Sequence, residues 1–385
     1  MNISPKQAGD VLLYAPYGTC VRLVGQPGTA KSAVSYRTAK RAGAVYVGQP
    51  TADMDVLDGK GVPYLIEGAD GRKMMAFAPP GTWPTEVVSH LYPKVGEIRV
   101  NLDDQGQAPP PVQAIVGRAV YGDGVARMLG DNPILPNVIF SATTNSVEDR
   151  ASVHRTPSHT QNRFIDIRVQ PDAEEWAREY LSGFPIPEPD SGYPSMRRKI
   201  EAAIGTGGPE TIAAFVAWSK EVQVFDPNTP GPFQSGRSLE TLGKCIRAFE
   251  TAGINGDVLY EVACGCIGDA QASKFMAFHK FREDLPDTDA VLRGENVKLP
   301  AKPEVLFILS GIVLKAAKKE HVDGVVKLLN RMAALEKDDR RIGVEPSVYL
   351  FRECLRGSNQ NLQGVASHPE IAKEWLRKNG KYFQA

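Results

Sequence analysis

The stretch Cys20-Val-Arg-Leu-Val24, followed by Gly25-Gln26-Pro27-Gly28-Thr29-Ala30-Lys31-Ser32-Ala33, decides the fold. Residues 21–24 are a short apolar strand, Gly-Gln-Pro-Gly is a turn, and residues 33–40 are good helix formers ending near Gly43. A strand, a glycine-containing loop closing on Lys-Ser and then a helix is the pattern of a phosphate-binding loop, G-x-x-x-x-G-K-[ST]. Gly25, Lys31 and Ser32 fit it, and Ala30 stands where the second glycine is expected. Backbone amides of residues 28–32 would converge on a β-phosphate at the helix N-terminus. Lys31 would add a point charge at the β/γ-oxygens, and the Ser32 hydroxyl would ligate Mg²⁺. The expected ligands are therefore ATP or ADP with Mg²⁺, held by Gly25 through Ala33. The alternative is an ordinary Gly/Pro turn between a strand and a helix.

Working outward, further strands are expected at 44–47, 98–102, 137–142 and 165–169, alternating with helical stretches. That alternation predicts an α/β layered domain, a parallel sheet flanked by helices. Ile98, Val100 and Leu102 alternate as strand residues should, and Asp103 and Asp104 stand at the strand's C-terminal end, where ligands sit in open α/β sheets. Asp103 would hold Mg²⁺ through its water shell, and Asp104 would polarise the attacking water. Asn145 follows the apolar strand at 137–142 and would orient water near the γ-phosphate. Arg163 precedes the strand at 165–169, and Arg237 opens a helix in the helical half. Taken singly, Asn145 also reads as a turn residue, and either arginine as a surface charge.

Composition bounds the rest. The 385 residues are 42% hydrophobic and 23% charged, which excludes a wholly disordered or fibrous chain. Lys+Arg and Asp+Glu are 45 each, so no global field steers the protein toward nucleic acid or anionic lipid. The apolar run 305–314 is far short of the ~20 residues that span a bilayer and predicts a buried helix. Residues 1–10 show no apolar signal core, and five cysteines argue against a disulfide framework. Cys264 and Cys266 read as packing residues inside an apolar helix. A reduced, cytoplasmic, soluble protein is expected.

After Pro171 the texture becomes helical, with helices expected at 173–181, 195–204, 209–222, 238–251, 259–281, 304–318, 322–335, 346–355 and 369–378. The proline-rich stretch 184–194 is a linker or surface loop, and 284–303 is polar and irregular. The expected pieces are an α/β core at 1–170, an all-helical lid at 171–285 and a helical C-terminal extension at 286–385. An insert at 63–77 reads as a hairpin carrying Tyr64, Met74, Met75 and Phe77.

The order of these elements resembles the AAA+ ATPases, and the wording is closest to the MoxR-like branch. "GQPGTAKS" is similar to that branch's Walker A, which commonly carries alanine at the position of Ala30. "LDDQGQAPPPVQAIV" at 102–116 resembles its Walker B and following helix, "SATTN" its sensor 1, "QNRF" its arginine-finger segment and "SGRSLETL" its sensor 2. "APPGTWP" at 78–84 resembles a phrase that precedes Walker B in such proteins. The likeness covers about residues 10–250. Three departures stand out: Asp104 replaces the family's usual catalytic Glu, Arg99 and Asn101 make the Walker B strand unusually polar, and the region beyond about residue 285 matches nothing in the family.

The resemblance implies a homo-oligomeric ring, a hexamer by family habit, with ATP between subunits. Arg163 would reach the neighbour's site, with Arg150 and Arg155 as competing arginines, and Arg237 would report nucleotide from the lid. It also implies chaperone-like remodelling of a partner protein, often one with a von Willebrand A domain. Hydrolysis slowed by Asp104 is expected. The rival reading is a nucleic-acid-associated P-loop motor, which would need a basic pore. The stretch 59–73 holds Lys60, Arg72 and Lys73, but Asp58, Glu67 and Asp70 offset them.

Overall fold

The computed structural model describes residues 2–93, 96–121, 127–146, 153–154, 156–337, 340–371 and 375–379. Arg150 and Arg155 lie outside the described residues. By its internal contacts the chain divides into two compact units, one of residues 1–207 with 223–272, the other of 208–222 with 273–385. This division runs differently from the expected boundaries at 170 and 285. Most of the helical stretch after 171 belongs with the sheet, and only 208–222 and the residues from 273 onward group with the C-terminal helices.

The first unit opens on helix α1 (Pro5–Tyr14), started by a capping box in which Ser4 and Gln7 satisfy each other's backbone amides. Strand β1 (Cys20–Val24) then feeds the glycine loop and helix α2 (Lys31–Arg41). Strand β2 (Val45–Pro50), the short helix α3 (Val56–Lys60) and a hairpin of β3 (Val62–Glu67) and β4 (Lys73–Ala78) follow. Next come β5 (Ile98–Asp103), α4 (Pro110–Val120), the two-residue strands β6 (Met128–Leu129) and β7 (Asn132–Pro133), β8 (Val138–Thr144), α5 (Ser158–Gln161) and β9 (Ile165–Arg168).

Five of these strands form one parallel sheet in the order β2-β5-β8-β1-β9. The register aligns Val24 with Thr144 and Leu102 with Ala142, so Gly25, Asp103 and Asn145 leave the sheet along one edge. β1, β5 and β8 are buried nearly end to end, as in a sheet covered on both faces. On one side Ile98, Val100, Leu102 and Phe140 pack with Val112 and Val116 of α4 and with the fully buried Trp83. Each such side chain contributes about 1.5–3 kcal/mol when fully buried.

The polar residues of β5 have partners. Buried Arg99 donates to the carbonyls of Leu12 and Leu13 at 2.8 and 3.0 Å, and Arg197 to those of Leu13 and Ala15 at 2.9 and 2.8 Å. Two arginines thus satisfy the orphan carbonyls ending α1, with Glu97 as counter-charge to both.

Helices α6 (Ala173–Leu181), α7 (Tyr193–Gly205), α9 (Gly236–Thr251) and α10 (Gly256–Ile267) complete this unit. The single helix expected at 259–281 is two, α10 and α11 (Asp269–Lys280), divided at Gly268. Gly268 adopts φ +80°, and a Cβ there would meet the Pro232 carbonyl oxygen at 2.6 Å.

In the second unit α8 (Glu210–Ser219) lies against α13 (Pro303–Ala316), and Gly311 lets the two approach closely. The short α12 (Thr288–Leu292) falls inside the stretch expected to be irregular. α13 is buried along 305–311 and packs with α14 (Val322–Ala333) and α15 (Val344–Arg356) around Leu309, Leu329, Leu350 and Trp375. Among the described residues no helix is long and apolar enough to cross a membrane.

Candidate functional site

Three strand ends build the site. β1 runs into a loop whose Gly25 has no room for a side chain, since a Cβ would lie 2.6 Å from the Val169 carbonyl oxygen. Gln26, Pro27, Gly28, Ala30, Ser32 and Ala33 face solvent, while Thr29 and Lys31 turn inward. Gly28 and Ala30 both adopt left-handed backbone, at φ +81° and +61°. Ala30 is the N-cap of α2 and makes no side-chain cap bond, so the first-turn amides are left to a ligand or to water.

Lys31 folds back into its own loop. Its Nζ donates to the Gly25 and Gln26 carbonyls at 2.8 and 2.7 Å, to Thr29 Oγ1 at 3.3 Å and to Asn145 Oδ1 at 3.2 Å. These are the acceptors that phosphate oxygens would replace. Asn145, 114 residues away, is thereby brought to the loop from the end of β8. Because an ammonium only donates, the atom of Asn145 facing it must be the carbonyl oxygen.

At the end of β5, Asp103 Oδ1 accepts from Ser32 Oγ at 2.6 Å and from Thr143 Oγ1 at 2.5 Å. Its backbone carbonyl accepts from Thr51 Oγ1 at 2.6 Å. A hydroxyl and a carboxylate side by side are hard oxygen donors, and they fit Mg²⁺. Asp104 turns away from the strand in left-handed backbone, φ +51°, with its amide donating to Thr143 Oγ1 at 3.2 Å. Burial raises its carboxyl above the ordinary carboxylate range, and the charges of Asp103 and Asp53 push the same way against Lys31.

The two arginines are anchored together at α4. Arg163 is half-buried alongside Gly117, where a Cβ would come within 3.6 Å of its Nη1. The Arg237 guanidinium lies 5.3 Å over the Tyr121 ring that follows α4. Between them, Asn162 Nδ2 donates to Ser235 Oγ, the N-cap of α9, at 2.8 Å.

Sequence reading missed Thr51 and Thr143, which position Asp103, and a buried cluster around Arg22. Arg22 on β1 bonds Gln105, Thr156, Gln161 and Asp166. An arginine inside an apolar strand was the available signal. Its partners, 83 to 144 residues away, carry none.

The fold and this row of residues define an α/β P-loop core with a phosphate-loop site at the C-terminal edge of its sheet. No known family model matches the chain, and no curated protein matches it. Among solved structures it is similar to one from Cytophaga hutchinsonii described as a candidate ATPase, at 15% identity, covering 72% of this chain and 90% of that one, with a TM-score of 0.45.

Proposed function

We propose that this protein is an ATP-hydrolysing AAA+ ATPase of MoxR-like type that assembles into a ring and uses hydrolysis to remodel a partner protein. The observation that carries the reading is the convergence at Lys31 and Ser32. Their side chains meet Asn145 and Asp103, delivered from two other strand ends, at 3.2 and 2.6 Å. A structural turn needs none of these partners; a triphosphate with a divalent cation uses all of them.

Ser32 and Asp103 are the residues that would hold Mg²⁺, which when bound would supply neutralisation of the phosphate charge. Ser32 would hold it directly and Asp103 through water, with Thr143 fixing the carboxylate and Thr51 the backbone carbonyl of Asp103. Lys31 would exchange the Gly25 and Gln26 carbonyls for phosphate oxygens. Asp104 would accept the proton of the attacking water, with Asn145 orienting that water. Arg163 would complete the neighbouring subunit's site, and Arg237 would couple nucleotide state to the helices around α9. Because Asp104 is one methylene shorter than Glu, turnover is expected to be slow. A hexamer and a partner bearing a von Willebrand A domain follow from the sequence resemblance and belong to the same proposal.

Mass photometry with phosphate-release measurements tests it. Mg²⁺-ATP should drive the chain into rings, and Asp104→Asn should bind ATP and remain trapped in them. A chain that stays monomeric with nucleotide bound would remove the ring from the proposal.

A further inference from the structure

Arg22 is 4% exposed, and its guanidinium donates all five of its N–H groups to protein acceptors. Nε and Nη2 form a bidentate pair with Asp166 at 2.7 and 2.8 Å. Nη1 reaches Gln105 Oε1 at 2.9 Å and Thr156 Oγ1 at 3.1 Å, and Nη2 also reaches Gln161 Oε1 at 3.3 Å. The cation sits 4.7 Å over the Phe164 ring. Both glutamines are oriented by chemistry, because only a carbonyl oxygen can accept from arginine, and Gln161 Nε2 then donates to Asp166 Oδ2 at 2.8 Å.

The partners matter by what they flank. Gln105 is the residue after Asp104, fully buried, and its Nε2 has no acceptor among the described residues. Burying an amide half-satisfied is costly, so its bond to Arg22 is the one return at that position. The turn it begins lies tightly against β8, where Gly106 leaves no room for a side chain beside Thr144 Oγ1. Gln161 and Phe164 bracket Arg163. A single planar fork therefore clamps the segment bearing Asp104 to the segment bearing Arg163.

We propose that Arg22 is a positioning residue linking the carboxylate a subunit uses in its own site to the arginine it lends to its neighbour. A displacement of the Asp104 turn is passed through Gln105 and Arg22 to Gln161 and Phe164, and so to Arg163. This rests on the reading in which Arg163 acts in trans. Asp166 meets two of the five donors, and the other three carry the guanidinium across to Gln105, Thr156 and Gln161, so one cation joins the two segments.

Mixed rings test it. An Arg163→Ala chain keeps a sound phosphate loop, and a Lys31→Ala chain cannot use ATP but still donates Arg163. Their mixture sets a reference rate of phosphate release. The donor is then replaced by Lys31→Ala/Gln105→Met. In a donor that hydrolyses nothing, Gln105 cannot act through that chain's own turnover, and comparison at equal ring incorporation removes an assembly defect. The rate should fall about fivefold or more at equal ring incorporation, and Lys31→Ala/Gln105→Glu, which keeps the acceptor, should restore it. Met and Glu donors that behave alike, both reduced or both at the reference rate, would overturn the relay. A reference mixture as inactive as its components would instead overturn the trans reading beneath it, before Gln105 is touched.

Discussion

Ala30 is held at φ +61°, ψ 22°, a conformation that favours glycine, at the position where phosphate loops ordinarily carry one. Left-handed backbone costs an L-residue roughly 1–2 kcal/mol. Replacing alanine by glycine removes that strain but raises the chain entropy of the unfolded state, worth about 0.4–1 kcal/mol in the other direction. Ala30→Gly should therefore stabilise the first unit by about 0.5–1 kcal/mol. Gly28 offers the converse. It sits at φ +81° with nothing within 4 Å of the point a Cβ would occupy, so Gly28→Ala adds strain without collision. The same two effects with opposite signs should destabilise the first unit by about 0.5–1 kcal/mol. Two compact units make a single global midpoint ambiguous. The assay is urea-dependent hydrogen exchange of the β1 amides, which open with the first unit. Loss of stability in Ala30→Gly, or no loss in Gly28→Ala, would refute the assignment of strain to this loop.

Asp104→Asn should fold at least as well as the parent, because asparagine tolerates left-handed backbone, while phosphate release is lost; Asp104→Glu should turn over at or above the parent rate. With its carboxyl raised by burial and by Asp103, Asp104 must lose its proton to act as base, so turnover should fall on acidification at a pH above the ordinary carboxylate range while ATP binding persists. A pH–rate profile beside a pH–affinity profile checks this. Arg163→Ala should bind ATP nearly normally yet hydrolyse it about 10³-fold or more slowly in single-turnover assays. On the β3–β4 hairpin, Leu65 is 70% and Met75 65% exposed, so Leu65→Ser or Met75→Ser should leave thermal stability within about 0.5 kcal/mol of the parent while weakening partner remodelling. A large drop in melting temperature would mean these side chains pack on their own protein.

The part of the site legible in sequence is the part written contiguously. Residues 20–33 carry strand, loop and helix together, and the alternation of Ile98, Val100 and Leu102 before two carboxylates fixes one strand end. Sheet order was not legible, because the placement of β8 between β1 and β5 depends on crossovers that leave no local period. Arg99 stands out in sequence as a polar intruder, but its role of satisfying the carbonyls that end α1 joins residues 87 apart. The same holds for Arg22, whose acceptors, 83 to 144 residues away, meet it only on folding. The break between α10 and α11 was legible in principle. Gly268 before Asp269 is a helix stop followed by an acidic first turn, but the apolar run around it outweighed the signal.

The central claim is that residues 25–33 bind the phosphates of ATP, with Lys31 supplying the charge the loop amides cannot. The most direct measurement is an equilibrium titration of the parent and Lys31→Ala with a fluorescent ATP analogue in the presence of Mg²⁺. Saturable binding by the parent should be lost in Lys31→Ala, with both proteins equally folded by circular dichroism. Equal affinity in the two would contradict it.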